Sequence, residues 1–240
     1  VESNPEVPWR IRDVVFVFLL TLLFGSGAAV VVGAAVHSDL LSQRVATAVL
    51  LPLSPILLGG VCVAYAALRT AHPARLLLGR TERAGRELGL GVLLGLAATV
   101  GQVLVVQLAE ALFRVSVDDV QVPLREAALD PGLRPVLFLG AVVLAPLAEE
   151  LFFRGMAYRA LARRIGRVGG VLLSAAFFGV AHLSLDAPPG ASGVLFAVTF
   201  LLGVLLASLL ERRQSLLAPI AVHATFNLVS LSALVLESAQ

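Results

Sequence analysis

The chain has 240 residues, 58% of them hydrophobic and 14% charged, and a mean hydropathy of +0.94. So few polar side chains cannot cover a soluble domain of this size, and they are bunched between apolar runs long enough to cross the ~30 Å hydrocarbon layer of a bilayer. The sequence pI of about 9.3 comes from arginine alone, since the chain has no lysine; with the arginines in short loops it points to membrane topology and not to nucleic acid. The single Cys62 lies inside an apolar run, which rules out a disulfide within the chain and reads as a small buried hydrophobe.

Hydropathy predicts seven spans in chain order, at 14–36, 45–68, 88–112, 135–157, 168–186, 193–210 and 216–236. The first is too long for a signal-peptide core of 7–15 residues and reads as a span. The expected fold is an all-α integral membrane protein, a bundle of about seven transmembrane helices with a polar intramembrane cavity. It forms a single membrane domain over 1–240, with extra N-terminal helices at about 14–112. No repeat, low-complexity tract or soluble linker interrupts it.

The loops alternate in arginine content. Arg10 and Arg12 precede the first span, and Arg69, Arg75, Arg80, Arg83 and Arg86 follow the second. Arg159, Arg163, Arg164 and Arg167 follow the fourth, and Arg212 and Arg213 follow the sixth. The other connections are poorer: Arg44 alone in the first loop, none in 186–192, and three arginines offset by Asp118, Asp119, Glu126 and Asp130 within 113–134. By the positive-inside rule the N-terminus is cytoplasmic and the C-terminus outside, in a multi-pass protein of a bacterial inner membrane. Small residues recur within the spans, as at Gly91 with Gly95 and Gly166 with Gly170, where helices in lipid pack closely.

An ionisable group at membrane depth costs at least ~2.5–3.5 kcal/mol, so each one is a functional candidate. The fourth span carries Glu149, Glu150 and Arg154. Glu150 and Arg154 are four apart and can pair, whereas Glu149 is turned about 100° away. The fifth span carries Phe178-Gly-Val-Ala-His182 and the seventh His223-Ala-Thr-Phe-Asn227, the latter pair again on one face. Taken singly, each has a plainer reading: a structural ion pair, a satisfied core histidine, interhelical glue. Measured from the arginine-rich loops at ~1.5 Å per residue, however, Glu150, His182 and His223 lie at most roughly 21, 22 and 15 Å deep from the same side. Pro146 and Pro219 each stand four residues before one of these groups, where a lost helical hydrogen bond predicts a kink. Gln102, Gln107 and Glu110 are weaker candidates for lining a cavity, and His37 and His72 fall in loops.

Carboxylates, histidines, an amide and an arginine suit hydrolysis by an activated water. Glu149, assisted by His182, can deprotonate water, while His223 and Asn227 donate to the oxyanion and Glu150 with Arg154 holds the helix. Alternatively His182, His223 and Glu149 can hold Zn²⁺ or another divalent metal, which then activates the water. The residues leave both open. A His-Glu-x-x-His zinc helix, a Gly-x-Ser-Gly serine site and a pair of intramembrane aspartates are set aside.

Glu149-Glu150-x-x-x-Arg154, Phe178-x-x-x-His182 and His223-x-x-x-Asn227, in this order and each within a span, resemble the three motifs of the CPBP intramembrane proteases. That family includes CAAX prenyl endopeptidases and bacterial proteins associated with bacteriocin processing or immunity. The resemblance covers roughly 135–230 and implies an endopeptidase acting on a membrane-associated protein or peptide, with a C-terminal tail among the substrate types. Carried over by position, it gives Glu149 and His182 to water activation and His223 and Asn227 to the oxyanion, and leaves a metalloprotease and a glutamate-type protease open. The alternative is a non-catalytic binding or immunity protein of the same fold. The implied partners are membrane lipid and a peptide substrate.

Overall fold

The computed structural model describes residues 7–115, 122–183 and 187–237. Asp118 and Asp119, which offset the arginines of 113–134, and Asp186, at the edge of the arginine-free loop 186–192, lie outside the described residues. Among the described residues eight helices follow in order: α1 (Ile11–His37), α2 (Gln43–Arg69), the short α3 (Pro73–Leu78), α4 (Ala84–Phe113), α5 (Val122–Leu129), α6 (Arg134–Ala181), α7 (Pro189–Arg213) and α8 (Leu217–Glu237). Among the described residues six of these are long and apolar enough to cross a membrane. Their outward faces carry large apolar side chains, such as Leu23, Val31, Leu93 and Leu104. Water would not solvate such faces favourably, and lipid does. The molecule is an all-α, multi-pass membrane protein.

The expected fourth and fifth spans are one continuous run, α6. At ~1.5 Å per residue, its 48 residues would extend about 72 Å as a straight rod, more than twice the hydrocarbon thickness. It does not run straight, because Gly166 takes φ 80° and ψ 169° and turns the chain back. That φ is costly for any residue with a Cβ. The second arm then lies on the first, with Phe177 and Phe178 against Phe153 at ring separations of 5.2 and 5.1 Å. Six continuous helices therefore make seven passes, and Arg159, Arg163 and Arg164 stand near the turn.

The first arm of α6 departs from regular helix twice, opening into wide i→i+5 turns over Leu139–Leu144 and Glu150–Tyr158. Pro146 lies between them. The kink expected at Pro219 does not arise, since that residue sits in the first turn of α8, where helical N–H groups have no internal partner to lose.

Close helix approach sets the position of α8. A Cβ on Gly91 would stand 2.5 Å from the Cβ of Ala221, and one on Gly95 would stand 2.6 Å from that of Thr225. Only glycine at these positions lets the α4 and α8 backbones meet, and the contact fixes the face of α8 that bears His223 and Asn227. At the arginine-rich end, Arg213 makes a two-point ion pair with Glu87, joining the end of α7 to the start of α4. Tyr158 and Arg167 both bind Glu211 there, joining α6 to α7.

Candidate active site

The three motifs converge. Glu150 and Arg154, fully buried on the first arm of α6, pair at 2.9 Å as their spacing predicts. The same Glu150 oxygen, Oε1, lies 3.0 Å from Nδ1 of His223 on α8. This carboxylate therefore accepts from both a guanidinium and an imidazole, and the arrangement turns Nε2 of His223 toward Glu149. Glu149 points the other way from Glu150, into a cavity of about 460 Å³. Its Oε2 is 3.6 Å from Nε2 of His182 and 3.9 Å from Nε2 of His223. These separations are too long for direct hydrogen bonds and right for one small molecule shared between the three groups.

His182 caps the end of the second arm of α6 and places Nδ1 2.8 Å from the Phe178 carbonyl. Donation to that carbonyl fixes the tautomer of the neutral ring and leaves Nε2 as an acceptor facing Glu149. Two acceptors facing each other call for a donor between them, and a water that gives one hydrogen to each satisfies both.

Phe178, known from the sequence only as a motif letter, does more than fill space. Its buried ring has the Arg154 guanidinium 4.3 Å from its centroid, the His182 ring at 4.3 Å and the His223 ring edge-on at 5.6 Å. One aromatic side chain thus positions a residue from each of the three motifs, and the guanidinium gains cation–π stabilisation in an apolar setting.

Asn227 lines the same cavity, but one of its amide hydrogens is already engaged, with Nδ2 donating to the Ala141 carbonyl at 2.7 Å. The reason lies in the first wide turn. There carbonyls accept from the residue five positions on, as Gly140 does from Ala145. The corresponding donor for Ala141 would be residue 146, a proline with no N–H. Asn227 supplies the missing donor. Its second amide hydrogen remains for a ligand.

Gln102 also faces the cavity and accepts from Ser230 at 3.0 Å, whereas Gln107 and Glu110 are exposed and do not line it. His37 and His72 are exposed, as expected, and Cys62 is buried. Thr199, buried on α7, is a cavity residue that its apolar helix hid from view. One sequence reading needs correction: a Gly-x-Ser-Gly string is present at Gly190–Gly193. Ser192 lies in the first turn of α7, where its hydroxyl donates to the Ala187 carbonyl at 3.4 Å, and it is not among the residues lining the cavity.

His182, His223 and Glu149 offer donor types that suit zinc. Among the described residues, however, no group of three or more His, Cys, Asp or Glu is disposed to hold a metal ion, and no step below runs through one. A second, larger cavity of about 1070 Å³ lies at the arginine-rich end, lined by Arg75, Arg83, Arg159 and Arg212 among others, and shares no residue with the first.

Fold and site together define a multi-pass integral membrane protein with an ionisable cluster at its core. Residues 131–229 match the family model described as type II CAAX prenyl endopeptidase Rce1-like. This segment, less than half of the chain, holds all three motifs and is similar to that family, in line with the resemblance the motifs carry. That family is one of CAAX-type intramembrane proteases, which act on protein or peptide substrates. No curated protein and no solved structure matches the chain.

Proposed function

We propose that this chain is an active intramembrane endopeptidase that hydrolyses a peptide bond with a water held between Glu149 and His182. The observation that carries the reading is the facing pair of acceptors, Glu149 Oε2 and His182 Nε2, at 3.6 Å on the floor of a cavity. A water donating to both presents its lone pair to the cavity. Glu149 takes one proton as the oxygen attacks the scissile carbonyl carbon. The carbonyl oxygen becomes an oxyanion, and the second amide hydrogen of Asn227 and the Nε2–H of a protonated His223 donate to it. The Nδ1–H of His223 donates to Glu150 Oε1 at 3.0 Å and holds the ring in this orientation. The C–N bond then breaks and Glu149 passes its proton to the leaving nitrogen, so one water and one amide give one carboxylic acid and one amine.

Arg154 has no part in the proton transfers. It pairs with Glu150 at 2.9 Å, and Glu150 keeps His223 oriented. A metal-bound form of this reading would use His182, His223 and Glu149 as ligands. Activity lost to chelators and restored by Zn²⁺ would select that form.

The test compares wild type with Glu149→Gln by mass spectrometry of membrane and secreted protein termini in the native host. Loss of a positioned base typically costs about 10²–10⁴-fold in rate, so termini produced by the enzyme should vanish while the abundance of the variant stays level. Identical termini in both strains, with an intact phenotype, would favour the non-catalytic binding or immunity protein.

A further inference from the structure

The first arm of α6 meets both cavities: Leu137, Gly140, Ala141, Ala145 and Glu149 line the first, and Arg159, ten residues beyond Glu149, lines the second. Glu149 faces the cavity that holds the histidines, and Arg159 faces the one at the arginine-rich end. Every residue from Glu150 to Ala160 is buried. Among them are Phe152, Phe153, Met156 and Tyr158, which fill the core between the two cavities. The carboxylates are therefore walled off from the arginine-rich end.

The remaining helices agree about where the space lies. On α8 the cavity residues begin at His223 and continue through Phe226, Asn227, Ser230, Leu231 and Leu234, all toward the end away from Arg213. The turn before them, with Ala218, Pro219 and Val222, is buried. On α7, which runs toward the arginines, the lining stops at Leu202, and Leu206, Ala207 and Leu210 beyond it are buried. On α2, which also runs toward the arginines, it stops at Pro55, and Cys62 and Ala66 are buried. Four elements thus put the catalytic cluster at the floor of a cavity that lies wholly in the arginine-poor half of the bundle. Its walls are mainly aliphatic, with Ser54, Gln102, Thr199 and Ser230 as the sparse polar points.

We infer that the peptide reaches Glu149 from the arginine-poor side of the membrane, which the positive-inside rule makes the outer side. The substrate is then an apolar stretch of an exported or membrane-anchored chain, presented from outside, and not a tail offered from the cytoplasm. The inference deepens the proteolytic reading and rests on it for the word substrate. The accessibility it requires can be measured without any activity.

The experiment uses the full chain with Cys62→Ala and one new cysteine, either Leu234→Cys in the apolar cavity or Arg75→Cys in the arginine-lined one. Spheroplasts and inverted membrane vesicles are treated with a charged, membrane-impermeant maleimide. Leu234→Cys should react in spheroplasts and stay unlabelled in inverted vesicles, and Arg75→Cys should do the reverse. Leu234→Cys labelled only in inverted vesicles, or from neither side, overturns the inference. Labelling of both cysteines from the same side overturns the separation of the two cavities on which it depends. Loss of cleavage in Glu149→Gln speaks only to the proteolytic reading, so the two ideas fail separately.

Discussion

Pro146 and Asn227 are far apart in sequence and close in function, because one creates a need that the other fills. An unpaired carbonyl in an apolar bundle costs about 1–3 kcal/mol. Asn227→Ala should therefore lower stability in detergent by that amount. In a Pro146→Ala background, where residue 146 regains an N–H for the Ala141 carbonyl, the cost of Asn227→Ala should shrink. Thermal unfolding of the four variants closes the cycle, and equal costs in the two backgrounds would remove Ala141 from the account. The sequence announced Asn227 as a polar group in an apolar span, so its importance was legible. Its partner was not, because the need for a donor arises from the wide-turn register of Leu139–Leu144, and nothing in the composition of that run signals the register. Phe178 shows the same limit: a phenylalanine in an apolar helix is unremarked until Arg154, His182 and His223 are seen around it.

At the scale of whole helices, the pairing of α4 with α8 presents the third motif. Gly91→Leu would push a side chain into Ala221 and into the Ala218 carbonyl, which lies 2.7 Å from the would-be Cβ. Overpacking of this sort costs about 1–3 kcal/mol, and here it also rotates or displaces His223. Both the melting temperature and the cleavage rate should fall. Gly89→Leu on the same helix is the control, since nothing lies within 4 Å of its would-be Cβ and both quantities should hold. A Gly91→Leu variant with unchanged melting and rate would show that α4 does not position α8. The long helices were legible, because a run of apolar residues long enough to cross lipid has few other fates, whereas the short α3 and α5 lie in segments that read as loops. The joining of the fourth and fifth spans was not, since the segment around Gly166 is polar enough to read as a loop, and only its backbone shows the helix resuming at once.

Across the whole molecule, charge divides the bundle into two ends with different work. Arg10, Arg12, the arginines of 69–86 and 159–167, and Arg212 with Arg213 gather at one end, tied across helices by Glu87 and Glu211. The aliphatic cavity occupies the other. That partition was half legible, for the alternation of arginine between loops gave the two ends before any fold was known. The carboxylates' access to one end only could not be read, because it depends on side chains from four helices closing over Phe152 and Tyr158.

The reversal at Gly166 also bears on how the chain is made. A segment ending at Tyr158 brings Glu149, Glu150 and Arg154 to the bilayer with no histidine and no Phe178 to receive them, at roughly 2.5–3.5 kcal/mol for each charge near the centre. The second arm supplies both His182 and Phe178, and only the tight turn at Gly166 separates it from the first. The two arms should therefore enter as one hairpin, released sideways from the insertion machinery together, with the arginines near the turn left on the side of synthesis. In a glycosylation-reporter assay of membrane integration, residues 134–158 alone should integrate poorly and residues 134–181 efficiently. Equal integration of the two would mean that the first arm can wait in lipid for its partners. On the hairpin account the ribosome has already delivered two of the three motifs before any charge is committed to the membrane, and α8 closes the site last.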